Sequence, residues 1–294
     1  MGVNSIIKLK KPKSFDEQIE ILRKRGLIID NEEEAKFILS NVNYYRFTAY
    51  LLTFKKEDDK YKSGTSFTMI SHIYKFDREL RNLLIGLLGN IEISFRTYIA
   101  YTLAMNHGAD GYLYKSNFIN DKFHERFLST LQKEKEYNSN KLFIKHHNQK
   151  YNGQLPIWVA TEIMTFGTLS KLYANLLPKD KSYIKNNLCS VNPKLVNAWL
   201  QSLTHIRNQC AHYGRIYNEV FPDVKIKNQD KKYKIDSKRI FANILIMKYL
   251  ISDKAVWNKF FASLKKLINE YKKYIDLKLI GFPTNWIEIL SNWY

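Results

Sequence analysis

Arg207, Asn208 and His212 are the residues whose types and spacing most directly suggest chemistry. An imidazole has the one unperturbed pKa near neutrality, so His212 could take or give a proton at working pH. A guanidinium presents a planar fork of donors that fits a phosphate, and Arg207 supplies one. Asn208 adds an amide beside them. Cleaving RNA with its own 2′-hydroxyl as nucleophile needs an acid/base group and a phosphate contact, and it needs no metal. With seven His and ten Arg in the chain, an Arg followed five positions later by a His arises by chance roughly 0.2 times. Requiring Asn directly after the Arg lowers that to roughly 0.02.

These residues must be positioned by a helix. Asn192 followed by Pro193 is a start signal, a capping side chain ahead of a proline at the first helical position. Leu195, Trp199, Leu203, Ile206, Cys210 and Tyr213 then recur at steps of three and four, which predicts a buried stripe. A second stripe, Gln201, His205, Asn208 and His212, is wholly polar, Arg207 flanks it, and Gly214 can end the helix. Asn208 and His212 lie about 40° apart around the helix axis, whereas Arg207 and His212 lie about 140° apart. One straight helix does not easily aim both at one phosphate. Two copies related by a twofold axis could combine them, so a homodimer with a composite cleft is expected.

The supporting candidates admit two readings each. Residues 70 to about 105 read as one or two helices, with Glu92 and Arg96 four apart and with Asp77, Arg81, Glu92 and Arg96 forming a polar stripe beside an apolar one. Glu92 and Arg96 are either a helix-stabilising ion pair or second-layer support for Arg207. His205 is a further acid/base group or a solvated histidine. Residues 225–239 carry seven basic side chains. Within them Lys231, Lys232, Tyr233 and Lys234 combine phosphate-binding charge with a ring that can stack on a base, and Arg215 is a further RNA contact. The same segment also reads as a charged surface loop.

Composition sets the wider frame. Lys plus Arg is 47 against 28 Asp plus Glu, a net charge of +19 that attracts polyanions. Glycine (11) and proline (6) are scarce, which favours helices over strands and tight turns. Cys189 and Cys210 form no disulfide framework and suggest reduced thiols in a cytoplasmic protein. Residues 1–9 show no signal peptide, and Ile6 stands where a myristoylation signal wants Ser or Thr. Apolar stretches are broken by polar residues before about 18 positions, so no membrane span is expected. No metal cluster, glycine-rich phosphate loop or nucleophile elbow is evident, and no cofactor is called for.

Elsewhere Ser14 to Glu17 reads as a capping box, Asp30 with Glu33 as a second helix start, and Lys55 to Gly64 as a polar turn and internal boundary. Residues 121–137 read as a helix, 138–156 as a mixed polar stretch, and 157–173 as helical with a break at Thr165–Thr168.

Several of these segments together resemble a known group. Arg, four to six residues, then His, with Asn after the Arg, is similar to the HEPN ribonucleases. More closely, the chain resembles the Abi-like abortive-infection family of the AbiD and AbiF type. The matching pieces are Ser14 to Gln18, Arg25-Gly26-Leu27, Asn43 to Arg46, Phe76 to Arg81, Ile91-Glu92 with Arg96, Phe166 to Ser170, and Arg207 to His212 with Arg215 and Asn218. They run in order from about Lys11 to Asn218. Tyr213-Gly214 stands where the family pattern carries His-Ser.

The resemblance implies an all-α, HEPN-like helical bundle with a small N-terminal helical subdomain, divided here at residues 1–65 and 66–294. It also implies a metal-independent endoribonuclease toxin of phage defence, kin to the type VI CRISPR effector nucleases and, for some members, neutralised by a small noncoding RNA antitoxin. On that reading His212 is the acid/base group, Arg207 contacts phosphate and Asn208 orients them. The alternative is a non-catalytic RNA-binding or scaffold protein that sequesters or senses a small RNA and uses the same charge without needing His212.

Overall fold

Few glycines and prolines leave long runs free to close i→i−4 hydrogen bonds, and the fold is all-α. In the computed structural model the described residues are 9–293. Among them there is no β-strand, only isolated bridges such as Ile28 with Ser66. The readings of Gly2 and Ile6, and most of that of the N-terminal nine residues, lie outside the described residues.

The described residues divide into two compact units. The first holds the chain up to Glu79 together with Leu267–Asp276. Its helices are α1 (Phe15–Lys24), α2 (Glu32–Asn41) and α3 (Tyr44–Thr48), the last running into a 3₁₀ turn at Ala49–Phe54. The opening turns of α4 (Phe67–His107) complete it. The Ser14/Glu17 capping box is formed in full. The second start signal is displaced by one residue. Asn31, not Asp30, caps α2, its side chain accepting from the Glu34 amide. Asp30 instead accepts from the Thr68 amide at 3.3 Å, at the start of α4. The core is aromatic: Phe47 stacks on Phe67 at 4.4 Å, His72 stacks on Tyr274 at 4.0 Å, and the Tyr50 hydroxyl donates to the fully buried Asp77. The Lys55–Gly64 turn lies inside this unit.

The second unit holds Leu80–Lys266 and Leu277 onward. It contains the rest of α4, a single 41-residue helix. There follow α5 (Asp121–Tyr137), α6 (Leu142–Lys150), α7 (Ile157–Ile163), α8 (Phe166–Asn175), α9 (Pro178–Asn187) and α10 (Pro193–Ala211). The chain then forms α11 (Ile240–Leu250), α12 (Lys254–Tyr271), whose residues from Leu267 onward belong to the first unit, and α13 (Trp286–Ser291). In α4 the residues Leu80, Leu84, Leu88, Ile91, Phe95, Ile99 and Leu103 are all fully buried at steps of three and four. The α10 helix lies against α8, α9 and α11, while α5 covers α8 and α7. Nearly every residue of the largely apolar α11 is buried, and its two buried polar side chains are hydrogen-bonded: Asn243 accepts from the Ser202 hydroxyl and Lys248 donates to Ile289 O. Thr165 caps α8 and marks the expected break. The stretch 138–156, read as mixed and polar, contains α6, which buries only Ile144.

By length and composition α4 would suffice to cross a bilayer, contrary to the reading that every apolar stretch is interrupted too early. Its apolar stripe is nevertheless packed inside the protein.

Candidate functional site

The α10 helix forms as its caps direct. Asn192 accepts from the Lys194 amide and Pro193 occupies the first turn. Val196, Trp199, Leu200, Leu203, Ile206 and Cys210 are buried. The opposite face carries Gln201, His205, Asn208 and His212, all exposed, with Arg207 half-buried between the faces. The predicted polar stripe therefore reaches the surface intact.

The buried stripe departs from expectation at both ends: Leu195 is only half-buried, with Val196 buried in its place, and the stripe stops one member early. Tyr213 was expected to extend it, yet its side chain is 67% exposed. The helix stops at Ala211, His212 is the cap, and Tyr213 turns left-handed at φ +56°. The Tyr213 amide donates to Cys210 O and the Gly214 amide to Gln209 O, the paired bonds of a Schellman ending. Such endings usually place glycine at the left-handed position; here a tyrosine occupies it, and Gly214 serves another purpose. A Cβ at 214 would lie 2.4 Å from Gln209 Cδ. The absence of a side chain lets Gln209 fold against the turn and donate to Arg215 O at 3.0 Å. Buried Arg81 reaches the same turn from α4, donating to Gly214 O at 3.3 Å. His212 thus stands on a reversal fixed at several points.

Arg207 is held from its side. Its Nε lies 3.7 Å from Glu92 Oε2, and its terminal nitrogen donates to Asn208 Oδ1 at 3.4 Å. Glu92 Oε1 accepts from Arg96 at 2.6 Å. Arg96 in turn donates to Thr161 O at 2.6 Å and Met164 O at 2.7 Å, the carbonyls closing α7. Glu92 and Arg96 are therefore more than a pair along one helix. Glu92, only 13% exposed, lies between two guanidiniums, and Arg96 anchors it to the α7 backbone. A carboxylate placed this way limits where the Arg207 fork can point. His205 stands apart, exposed, with its ring edge-on to Phe221 at 6.2 Å.

The basic segment does not act as one patch. Lys231, Lys232 and Lys234 are exposed around a 3₁₀ turn at Asn228–Tyr233. The Lys232 ammonium sits over the Tyr233 ring at 5.0 Å, so that ring already has a cation on it. Lys227 instead lies over Tyr249 at 3.7 Å, and Arg239 donates to Asn218 and to Glu219 O. Arg215, expected to contact RNA, pairs with Glu219 at 2.9 Å.

Arg81 and Gln209 were visible in the sequence, in the α4 polar stripe and inside the Arg207–His212 segment, but nothing marked their partners. Among the described residues no group of three or more His, Cys, Asp or Glu is placed to hold a metal ion. Both cysteines are free and buried, and burial pushes the Cys189 thiol up to about 11.

Compared with curated proteins and with solved structures, the chain matches none. A family model described as Abi-like protein matches residues 37–218. That span takes in Glu92, Arg96, Arg207, Asn208, His212 and Arg215. It leaves out the early Ser14–Gln18 and Arg25–Leu27 segments and the basic run after residue 225. The matched span is well over half of the sequence, and the chain belongs to the Abi-like protein family.

Proposed function

We propose that this protein is a metal-independent HEPN-type endoribonuclease, a toxin acting in the cytoplasm during abortive phage infection. The observation that carries the reading is the Arg207–Asn208–His212 segment, with Asn208 and His212 exposed, a half-buried arginine braced by Glu92 and Arg96, and a histidine that stands on a fixed helix ending. In the proposed step the RNA 2′-oxygen attacks the adjacent phosphorus and the bond to the 5′-oxygen breaks. A His212 imidazole accepts the 2′-hydroxyl proton, and a protonated His212, from this copy or a partner copy, gives one to the leaving oxygen. Arg207 stabilises the charge that builds on the phosphoryl oxygens. The products end in a 2′,3′-cyclic phosphate and a 5′-hydroxyl.

Ideal helical spacing would set Arg207 and His212 about 140° apart, so the reading includes a homodimer in which two such faces meet. RNA is the substrate, and a small noncoding RNA is a fitting antitoxin for a protein of charge +19. The test is growth on overexpression of wild type, Arg207→Ala and His212→Ala, with end-group mapping of cellular RNA. Wild-type toxicity and cyclic-phosphate ends, both lost in the two variants at equal protein level, are the expected outcome. Removing such a group typically costs about 10²- to 10⁴-fold in rate. Equal behaviour of all three would favour the RNA-binding scaffold instead.

A further inference from the structure

A cavity of about 270 Å³ opens beside α5 and α8 in the second unit. Its walls are mostly apolar, with Phe118, Phe123, Phe127, Leu172 and Ala174 along them. Phe123 is 56% exposed, a large ring left in water beside an apolar hollow. The polar side chains of the wall are engaged elsewhere. The Thr168 hydroxyl donates to Glu134 Oε1 at 2.7 Å, and the Thr130 hydroxyl donates to Arg126 O at 2.8 Å. The Asn175 side chain exchanges two hydrogen bonds with the Asn120 backbone. Buried His124 bonds Tyr112 O through Nε2 at 2.9 Å and stacks on Phe118 at 4.7 Å, which fixes this wall in place. Two lining groups remain, the Arg126 guanidinium from α5 and the Lys171 ammonium from α8. Both residues are exposed, and neither charged group has an ion pair or hydrogen bond among the described residues.

An apolar hollow lined by two unpaired cations is complementary to a ligand with an apolar body and an anionic end. We infer that this cavity binds a single-chain amphiphile. Its alkyl chain lies against the phenylalanines, and its one anionic head, a carboxylate or a phosphate monoester, is taken by Arg126 and Lys171. The guanidinium fork fits either head, and the ammonium adds a second positive charge. At about 30 Å³ per water-sized group the cavity holds about nine groups, so a chain of about eight to ten carbons fills it. None of the lining residues belongs to the Arg207–His212 segment or to its Glu92–Arg96 brace. The inference therefore stands independently of the nuclease reading.

The test is calorimetric titration of the full-length protein with octanoate, octyl phosphate and octan-1-ol, and with a series of carboxylates from hexanoate to dodecanoate, all kept below micelle formation. Octanoate or octyl phosphate should bind at least about tenfold more tightly than octan-1-ol. Binding of either anion supports the assignment, and the tighter of the two names the head. Each methylene added from hexanoate to decanoate should tighten binding by about fourfold, and the gain should stop near about ten carbons, where the cavity is full. Arg126→Gln combined with Lys171→Gln changes only exposed side chains, so the melting temperature should stay within a few degrees of wild type. That variant should weaken octanoate by about tenfold and leave octan-1-ol unchanged. Phe123→Ala should weaken the acid and the alcohol alike, and Arg207→Ala should bind both as the wild type does. No binding of either anion up to about 10 mM, an affinity indifferent to chain length, octan-1-ol binding as tightly as octanoate, or wild-type affinity in the Arg126→Gln/Lys171→Gln variant would each overturn the assignment.

Discussion

Replacing Glu92 by glutamine removes one charge at nearly constant shape and asks whether this residue acts through Arg207. The Glu92–Arg207 separation of 3.7 Å corresponds to about 4 kcal/mol at an effective dielectric of about 20 and about 1 kcal/mol in bulk water. The Arg207 side chain is 36% exposed, so solvent screens the pair toward the lower figure, and about 1–2 kcal/mol is reasonable. Lost from the placement of the arginine, that predicts cleavage slower by about 5- to 30-fold. Glutamine still accepts from Arg96, so the α7 anchor and the fold should persist. The assay is single-turnover cleavage of a defined RNA by wild type, Glu92→Gln, Arg207→Ala and the double variant. If Glu92 works through Arg207, the double variant is no slower than Arg207→Ala alone. Multiplicative losses would refute the positioning argument. So would an unchanged rate accompanied only by a lower melting temperature, because Glu92 would then be a helix-stabilising residue and nothing more.

Gly214→Ala should push Gln209 off the turn and so cost about what Gln209→Ala costs, roughly 0.5–1.5 kcal/mol in urea denaturation, and the two should not add. Lys248 has a folded pKa of about 8 against 10.5, so the unfolded chain holds its proton more tightly. Its penalty is complete below about pH 8 and fades as pH rises toward 10.5. The melting temperature of Lys248→Met relative to wild type should therefore be highest near pH 7 and fall between pH 8 and 10; a pH-independent difference would contradict this. Converting Lys231, Lys232 and Lys234 to glutamine should flatten the log–log salt dependence of RNA binding by up to about 2 if all three meet phosphates, and an unchanged slope would show that the run is only a solvated surface.

The parts of this fold that could be read from sequence are those fixed by neighbours along the chain. The Ser14/Glu17 box, the Asn192–Pro193 start and the apolar steps of α4 and α10 are local signals, and the structure forms each of them. Local rules failed where two adjacent residues qualify for one role. Asp30 and Asn31 are both good caps, and a contact with Thr68, distant in sequence, decides between them. The α6 helix escaped notice because burying only Ile144 leaves almost no apolar period to detect. Tyr213 fitted the buried stripe by count, but the count assumes a continuing helix, and the helix had already ended. For the candidate site, residue types were legible and their support was not. No spacing rule connects Arg96 to the Thr161 carbonyl or Gln209 to a glycine five positions on that must lack a Cβ.

The left-handed backbone at Tyr213 has a consequence of its own. With the phenol facing solvent, the side chains tolerated at this site should be filtered by handedness. Glycine and asparagine should be accepted, unbranched residues endured, and valine, isoleucine and threonine rejected, because a branched Cβ collides with its own backbone there. A saturation library at position 213, scored for folding alone, should reproduce that ranking even in a catalytically dead background. Variation seen there among relatives would then reflect chirality before it reflects any pressure from the reaction.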